Sequence, residues 1–437
     1  MTTPRLEKSP PRDSYGSSSL PSALEVATFA VTLLENDPLY NSAHGAVFTR
    51  DGINDLEASV MVSRGFKKRG VGVTGLRHVR NPILLARGML EAGEVDLASS
   101  TSATASSSSS PVETVLLEIS PPSRSPKDSD PHVKVSQPPP LDVPSAQGHT
   151  LIHGPAAEQL AQKYGLELVQ PAHFFTQQRW EEHIRALQRE KQGHGPATWS
   201  ADEFLPQGTC GAVCMDASGT ICVATSTGGM TNKLTGRIGD TPIAGAGFWA
   251  EEWIDDDDYG VDKSSSAGIR LVGGLLKDVL GGASCLPNHQ WPGSGNAMGD
   301  DGRDRKIVTR HRSFAASGTG NGDSFMRLDA VRSVAAMARW RPCASSEAIE
   351  FVAGPGGELQ KSTGDRWGRA GEGEGGMIGI ESVVERDGDG VVVGVKGEVV
   401  QAHNCGGMFR AWVDERGKCQ MRIFGNGIEE PYGFGAI

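Results

Sequence analysis

The residues best suited to chemistry in this 437-residue chain gather in four glycine-rich segments. Gly208-Thr209-Cys210-Gly211 opens a stretch of β texture, and Ser226-Thr227-Gly228-Gly229 follows one hairpin later. Then come Gly236-Arg237-Ile238-Gly239-Asp240 and Ser317-Gly318-Thr319-Gly320-Asn321-Gly322-Asp323. A threonine at the start of a strand is ordinarily there for strand propensity. As a nucleophile its hydroxyl is weak at neutral pH and needs a base beside it. Arg237 and Asp240 offer a guanidinium fork for a carboxylate and a carboxylate for an ammonium, which together read a free amino-acid head group. As a mere surface ion pair they would contribute under ~1 kcal/mol. Ser317 to Gly320 supplies small side chains and successive backbone N–H groups that could hold an oxyanion. The run lacks the GxxxxGK[ST] pattern of a phosphate loop.

Together with Gly406-Gly407-Met408-Phe409-Arg410-Ala411-Trp412, these segments resemble the plant-type asparaginase/isoaspartyl peptidase family of N-terminal nucleophile hydrolases, from about Ser22 to Phe424. The resemblance implies an α+β fold built as a four-layer αββα sandwich. It implies self-cleavage between Gly208 and Thr209, then hydrolysis of L-asparagine and β-aspartyl dipeptides with Thr209 as nucleophile. In that scheme Thr227 assists the nucleophile, and Arg237, Asp240, Ser317, Gly318 and Gly320 bind substrate. The products of cleavage would pair as a dimer of αβ heterodimers, without cofactor apart from a structural sodium ion near Leu56 to Lys68. A glycosylasparaginase-like amidase is the near alternative, suggested by Gly320-Asn321-Gly322-Asp323, and a threonine-aspartase-like endopeptidase fits the Arg237/Asp240 pair less well. A non-catalytic, uncleaved relative is the alternative of a different kind. The family's His-Gly-Gly strand before the first helix is replaced here by Asp13-Ser14-Tyr15-Gly16-Ser17-Ser18, and its Asn after the early hairpin by Val62-Ser63-Arg64-Gly65-Phe66.

The chemistry of such a cleavage is coherent in these residues. Freeing the Thr209 α-amine, with a reference pKa of about 7.7–8.0, creates the missing base within the nucleophile itself. Gly208, lacking Cβ, can adopt the strained backbone that brings Thr209 Oγ to its carbonyl. The polar loop Gly193 to Gln207 could then move aside. The short turn at 216–219 pairs the strand of Thr209 with that of Thr227, which lets the two hydroxyls meet.

The elements that must carry these residues are legible from pattern. Ser22 and Glu25 form a capping box for a helix to Glu35, with Val26, Phe29, Ala30, Leu33 and Leu34 at core spacing. Ala46–Thr49 and Ala58–Val62 read as a hairpin around Arg50-Asp51-Gly52, and Val71–Leu76 as a further strand. Helices are expected from Pro82 to about Glu91, Pro155 to Tyr164 and Thr176 to Lys191. Ala212–Met215 and Thr220–Thr225 are strands; Lys306–Ala316 is another, followed by a helix over Phe325–Trp340. Late strands cover Met377–Val384, Gly390–Val395, Val399–His403 and Met421–Phe424, while Gly406 to Trp412 is expected to pack the core near the site.

Composition bounds the rest. Hydrophobic residues make up only 38%, and the deficit sits in low-complexity blocks that cannot offset chain entropy. One domain is therefore expected: a disordered tail 1–21, an α part 22–208 interrupted by a disordered insertion 97–148, and a β part 209–437 with an insertion about 255–305 and a flexible segment 354–376. Lys+Arg of 42 against Asp+Glu of 53 leaves −11, which disfavours a general nucleic-acid or anionic-membrane binder. Seven cysteines in no CxxC spacing, and His44, His78, His153, His183 and His403 in no metal spacing, suggest neither a disulfide framework nor a metal centre. With no signal-like or membrane-spanning stretch, a reduced, cytoplasmic setting is the expectation.

Overall fold

Local rules start the first helix and tertiary packing decides how it lies. In the computed structural model, which describes residues 20–67, 69–98, 145–200, 208–255, 309–341 and 343–424, α1 spans Ala23–Asn36 behind the expected Ser22/Glu25 capping box. Its buried stripe is Ala23, Leu24, Ala27, Thr28, Val31 and Glu35, whereas Val26, Phe29 and Leu33 are exposed. The core spacing read from the sequence thus chose the wrong face. Small side chains let α1 lie close on the strands beneath it, and the Glu35 carboxylate is held inside by Ser226 Oγ and Ile83 N–H.

Five strands form the first sheet: β1 (Leu56–Val62), β2 (Gly70–Leu76), β3 (Leu151–His153), β4 (Cys210–Met215) and β5 (Ile221–Thr227), in the order β3-β2-β1-β5-β4. All pairings are antiparallel except β2 with β3. The expected hairpin at Ala46–Val62 does not form, because β1 pairs with β2 and β5 instead. Ala46 to Phe48 is buried without strand structure, its backbone satisfied by side-chain amides: Asn41 accepts from Val47 N–H, and Asn54 donates to the Ala46 and Val47 carbonyls. Helix α2 (Pro82–Ala98) outruns its expected end at Glu91, while α3 (Gly154–Lys163) and α4 (Gln177–Lys191, capped by Thr176) match expectation.

A second sheet has the order β6-β7-β8-β9, with β6 Phe248–Ile254, β7 Thr309–Gly320, β8 Gly375–Arg386 and β9 Val392–His403. Strand β7 extends four residues past its expected end, so Ser317 to Gly320 is strand and not loop. The helix expected over Phe325–Trp340 is two, α5 (Gly322–Leu328) and α6 (Ala330–Trp340), broken at Asp329, whose φ is 44°. Helices α7 (Ser345–Ala353) and α8 (Glu358–Lys361) follow. The segment 354–376, expected to be flexible, holds α8 and a 3-10 turn at Gly364–Arg366, and Glu372 ties it to Arg327 and Arg366 at 2.8 and 2.6 Å. The strands expected at Gly390–Val395 and Val399–His403 are one, β9, which starts at Val392. Gly407–Val413 (β10) pairs with Cys419–Phe424 (β11) as a separate ribbon; Phe409 and Val413 are more than half exposed, so this segment does not fill the core as expected.

The chain divides into a larger unit, Met1–Glu252 with Ser313–Ser382 and Gly397–Ile437, and a smaller one, Trp253–Arg312 with Val383–Lys396. In the smaller unit Arg310 pairs with Glu385 at 3.2 Å and the Arg312 guanidinium lies over the Trp253 ring. In the larger unit two sheets stack between helices. Alternation along β1, β4 and β5 sends Ala58, Val60, Cys222 and Ala224 toward α1 and α2, and Met61, Ile221 and Val223 toward Phe248, Ala250 and Ala315 of the second sheet. Phe325 and Val331 of α5 and α6 press on β7 so closely that a Cβ built on Gly318 would stand 2.5 Å from the Phe325 ring. This is the αββα arrangement. The insertion cores at 99–144 and 256–308 and the tail before residue 20 lie outside the described residues, as does 201–207. No helix among the described residues is long and apolar enough to cross a membrane.

Candidate active site

The same alternation that sorts the core delivers the site. Cys210 pairs with Ser226, and continuing that register by one residue sets Thr209 opposite Thr227; Thr227 in turn pairs with Glu57 of β1. Directly opposed residues share a face of the sheet. Thr209, Thr227 and Glu57 therefore point between the sheets, while Cys210 and Ser226 point back to α1.

Across the gap, β7 presents side chains at alternate positions. Thr209 N–H donates to Thr319 Oγ1 at 2.8 Å, and one step deeper Ser317 Oγ meets Thr225 Oγ1 at 3.0 Å. The hydroxyl facing Thr209 is thus that of Thr319, which sequence reading passed over in favour of Ser317. Nor is Ser317 to Gly320 an open run of N–H donors, since the Gly318 N–H is bonded to the Gly247 carbonyl at 2.8 Å. A strand commits such groups to neighbours. The signal that could have found Thr319 is the period of two that runs from the buried Ala315 through Ser317.

Three glycines are here for close approach. A Cβ on Gly208 would lie 2.6 Å from Thr319 Oγ1, and one on Gly211 would collide with Ser317 Oγ. Gly208 does not have a positive φ, so proximity to Thr319 explains it and the expected backbone strain does not. Gly320 has both reasons, with φ at 146° and the Glu374 carbonyl 2.3 Å from any Cβ. Thr227 Oγ1 accepts from Gly229 N–H at 3.0 Å, which leaves its own proton to donate. The Gly228-Gly229 turn is pinned by Asn41, whose side-chain amide donates to the Gly229 carbonyl at 2.8 Å and whose main-chain carbonyl accepts from Gly228 N–H at 3.1 Å.

Arg237 and Asp240 occupy the loop between β5 and β6. Arg237 is largely buried and its Nη2 pairs with the exposed carboxylate of Asp323 at 3.0 Å. Asp240 is 5% exposed, and its Oδ2 has no partner among the described residues. Burial, reinforced by the nearby Glu57 charge, pushes its pKa up to about 7. A Cβ on Gly322 would stand 2.6 Å from Asp240 Oδ1 and 3.0 Å from Arg237 Nη2, which brings the start of α5 against this pair. Asn321 caps α5 by accepting from Ser324 N–H at 3.1 Å, so the Gly320–Asp323 run has a structural role besides its pairing with Arg237.

The sodium ion expected near Leu56 to Lys68 would need backbone carbonyls turned into a cage. Leu56–Val62 is instead a strand paired on both edges, and the Ser63 carbonyl accepts from Arg69 Nη2, so the carbonyls of Leu56 to Ser63 are turned to other partners. Lys68 lies outside the described residues. Among the described residues no group of three or more His, Cys, Asp or Glu could hold a metal ion.

Residues 18–121 and 142–254 match the family model described as Asparaginase. The isoaspartyl peptidase of Escherichia coli (strain K12) is 35% identical over 229 residues, covering 52% of this chain and 54% of that protein. The isoaspartyl peptidase/L-asparaginase of Rattus norvegicus is 29% identical over 230 residues, 53% of this chain and 50% of that protein. An Arabidopsis thaliana protein named "Probable isoaspartyl peptidase/L-asparaginase 2" is 24% identical over 426 residues, 92% of this chain and 86% of its own length. The chain spans about half the length of the first two.

Proposed function

This chain belongs to the plant-type asparaginase family of N-terminal nucleophile hydrolases, and on that premise we propose that it is a self-cleaving threonine amidohydrolase acting on L-asparagine and β-aspartyl dipeptides. The observation that carries this reading is the hydrogen bond from Thr209 N–H to Thr319 Oγ1 at 2.8 Å, with Thr227 opposite Thr209 in the strand register.

In maturation, Thr209 Oγ adds to the Gly208 carbonyl carbon, the Gly208–Thr209 C–N bond breaks, and the Oγ proton ends on the departing nitrogen. The Thr319 hydroxyl, already bonded to that nitrogen, is the group to relay it. Water then hydrolyses the resulting ester, restoring the Thr209 hydroxyl and leaving Gly208 as a carboxylate. The freed α-amine is now within reach of its own hydroxyl. In turnover it takes the Oγ proton as Oγ attacks the substrate's side-chain amide, and passes it to the departing ammonia or amino acid. Water releases the acyl group as L-aspartate. Thr227, accepting from Gly229, has its proton free to steady Thr209 Oγ. Arg237 would exchange Asp323 for the substrate α-carboxylate, and an ammonium arriving beside Asp240 would favour its ionised form. Two processed copies would pair as a dimer of heterodimers.

Denaturing electrophoresis with N-terminal sequencing tests the reading. Two chains, 1–208 and 209–437, with the second beginning Thr-Cys-Gly-Ala, are expected, together with ammonia release from asparagine. A single uncut chain that still deamidates asparagine would overturn the mechanism; an uncut, inactive chain would favour a non-catalytic relative. Hydrolysis of β-aspartyl-leucine against glycosylated asparagine sorts the substrate class.

A further inference from the structure

Four polar side chains line up across the first sheet, one per strand: Thr74 on β2, Glu57 on β1, Thr227 on β5 and Thr209 at the head of β4. The proposed mechanism employs two of them. Glu57 has no part in it, yet it is 1% exposed, and burying a carboxylate costs several kcal/mol unless its partners offset the loss of water.

Its partners point in one direction. Glu57 Oε1 accepts from Thr74 Oγ1 at 3.1 Å and from the backbone N–H of Gly239 at 3.0 Å. Gly239 lies between Arg237 and Asp240. The second oxygen, Oε2, has no partner among the described residues. A Cβ on Gly239 would stand 3.0 Å from Glu57 Oε2 and 3.0 Å from Arg237 Nη1, so the bare glycine is what lets carboxylate and guanidinium flank the loop. Below them Lys233, 3% exposed, donates to the Asp55 carbonyl at 2.9 Å, and Asp55 takes Arg77 Nε at 2.9 Å and Gly236 N–H at 3.3 Å. The loop is thus fastened at both ends by acidic side chains from the β1 segment, Asp55 at Gly236 and Glu57 at Gly239.

We propose that Glu57 is the positioning residue of the head-group subsite: through the Gly239 amide and its charge beside Arg237, it sets the pose in which Arg237 and Asp240 receive an α-amino acid. This rests on the head-group site of the proposed function. It adds a residue from another strand that governs affinity and leaves bond cleavage alone.

The test measures L-aspartate binding by calorimetry together with steady-state kinetics on asparagine. Glu57→Gln, close in shape but uncharged, is expected to weaken L-aspartate about tenfold and to raise KM equally, as for loss of one charge-assisted contact. It should leave kcat within about threefold. Thr74→Val removes one of the two donors to Glu57 and should shift Kd and KM the same way by about two- to threefold. If Glu57→Gln fails to fold, Thr74→Val decides. Unchanged Kd in the folded variants, a fall in kcat at constant KM, or a wild-type chain that does not bind L-aspartate would overturn the proposal. A wild-type chain that binds L-aspartate but releases no ammonia from asparagine overturns the proposed activity instead, and Glu57 is then judged from Kd alone.

Discussion

The two faces of the β4–β5 pair carry nearly the same chemistry to opposite ends. On the helix side, Glu35 is fully buried; its Oε1 accepts from Ser226 Oγ at 2.7 Å and Ile83 N–H at 3.0 Å, and Oε2 is unpartnered among the described residues. Ser42 adds a bond to Ser226 Oγ at 3.0 Å, and burial drives the Cys210 thiol up to about 12. On the sheet side, one residue away, stand Thr209, Thr227 and Glu57. Each face has a buried carboxylate with a spare oxygen and neighbouring hydroxyls. The helix face is walled by α1 and the start of α2, and its bonds tie those helices to β5. The sheet face meets glycines that admit close approach and a loop bearing Arg237 and Asp240. Polar burial alone therefore does not mark a candidate site; what faces it does.

Neighbouring substitutions on the two faces should separate sharply. Thr209→Ala is expected to abolish self-cleavage and lower asparagine hydrolysis by at least about a thousandfold. Cys210→Ala, next in the chain, should keep both within about threefold and cost about 1 kcal/mol of stability in denaturant melts. Comparable losses of activity in both variants would break the contrast. Next in size, Thr319→Val removes the hydroxyl bonded to the scissile nitrogen and should slow self-cleavage about a hundredfold, followed as the disappearance of intact chain on gels. Ser317→Ala, whose hydroxyl meets Thr225, should slow it far less.

A smaller effect is expected in the pH dependence of substrate affinity. Asp240, raised by burial to about 7, loses its charge as the pH falls through that value, so KM for asparagine should rise toward acid. Asp240→Asn should have a high KM with that limb flattened. Smallest in activity is Glu35→Gln, which sharpens the contrast from the other face. Desolvation raises Glu35 from 4.5 to about 7 in the folded chain, so the folded state holds its proton more tightly than the unfolded. Its contribution to stability is fully present below pH 4.5 and is lost as pH rises through 7. Glu35→Gln should flatten that slope in melts between pH 5 and 8 and leave kcat unchanged.

Much of this architecture was legible in the sequence because it is written in local chemistry. The Ser22/Glu25 box, the Asn81-Pro82 helix start and the Asp216–Gly219 turn each depend on residues a few positions apart. What escaped depends on partners far along the chain. The exposed Phe29 and Leu33 look like core by hydrophobicity, yet Ala27 and Glu35 are buried because α1 must approach β5 and ligate Ser226. Ser317 and Thr319 are indistinguishable as hydroxyls in a glycine-rich run until the strand continues through them. Glu57 lay in plain view beside Leu56, but nothing local links it to Gly239, 182 positions away.

The hairpin joining β4 to β5 has a consequence for engineering. Asp216 N–H bonds to the Thr220 carbonyl and Gly219 N–H to that of Asp216, and this closure fixes the residue count of the whole ladder. Thr209 lies seven residues from Asp216, about 24 Å along an extended strand. Inserting or deleting a single amino acid at that distant bend would shift every rung by one, turning the Cys210 thiol toward the second sheet and the Thr209 hydroxyl toward the helices. If Thr209 is the nucleophile, as proposed, the bend acts as a vernier for its placement, and its length matters as much as the threonine it aligns.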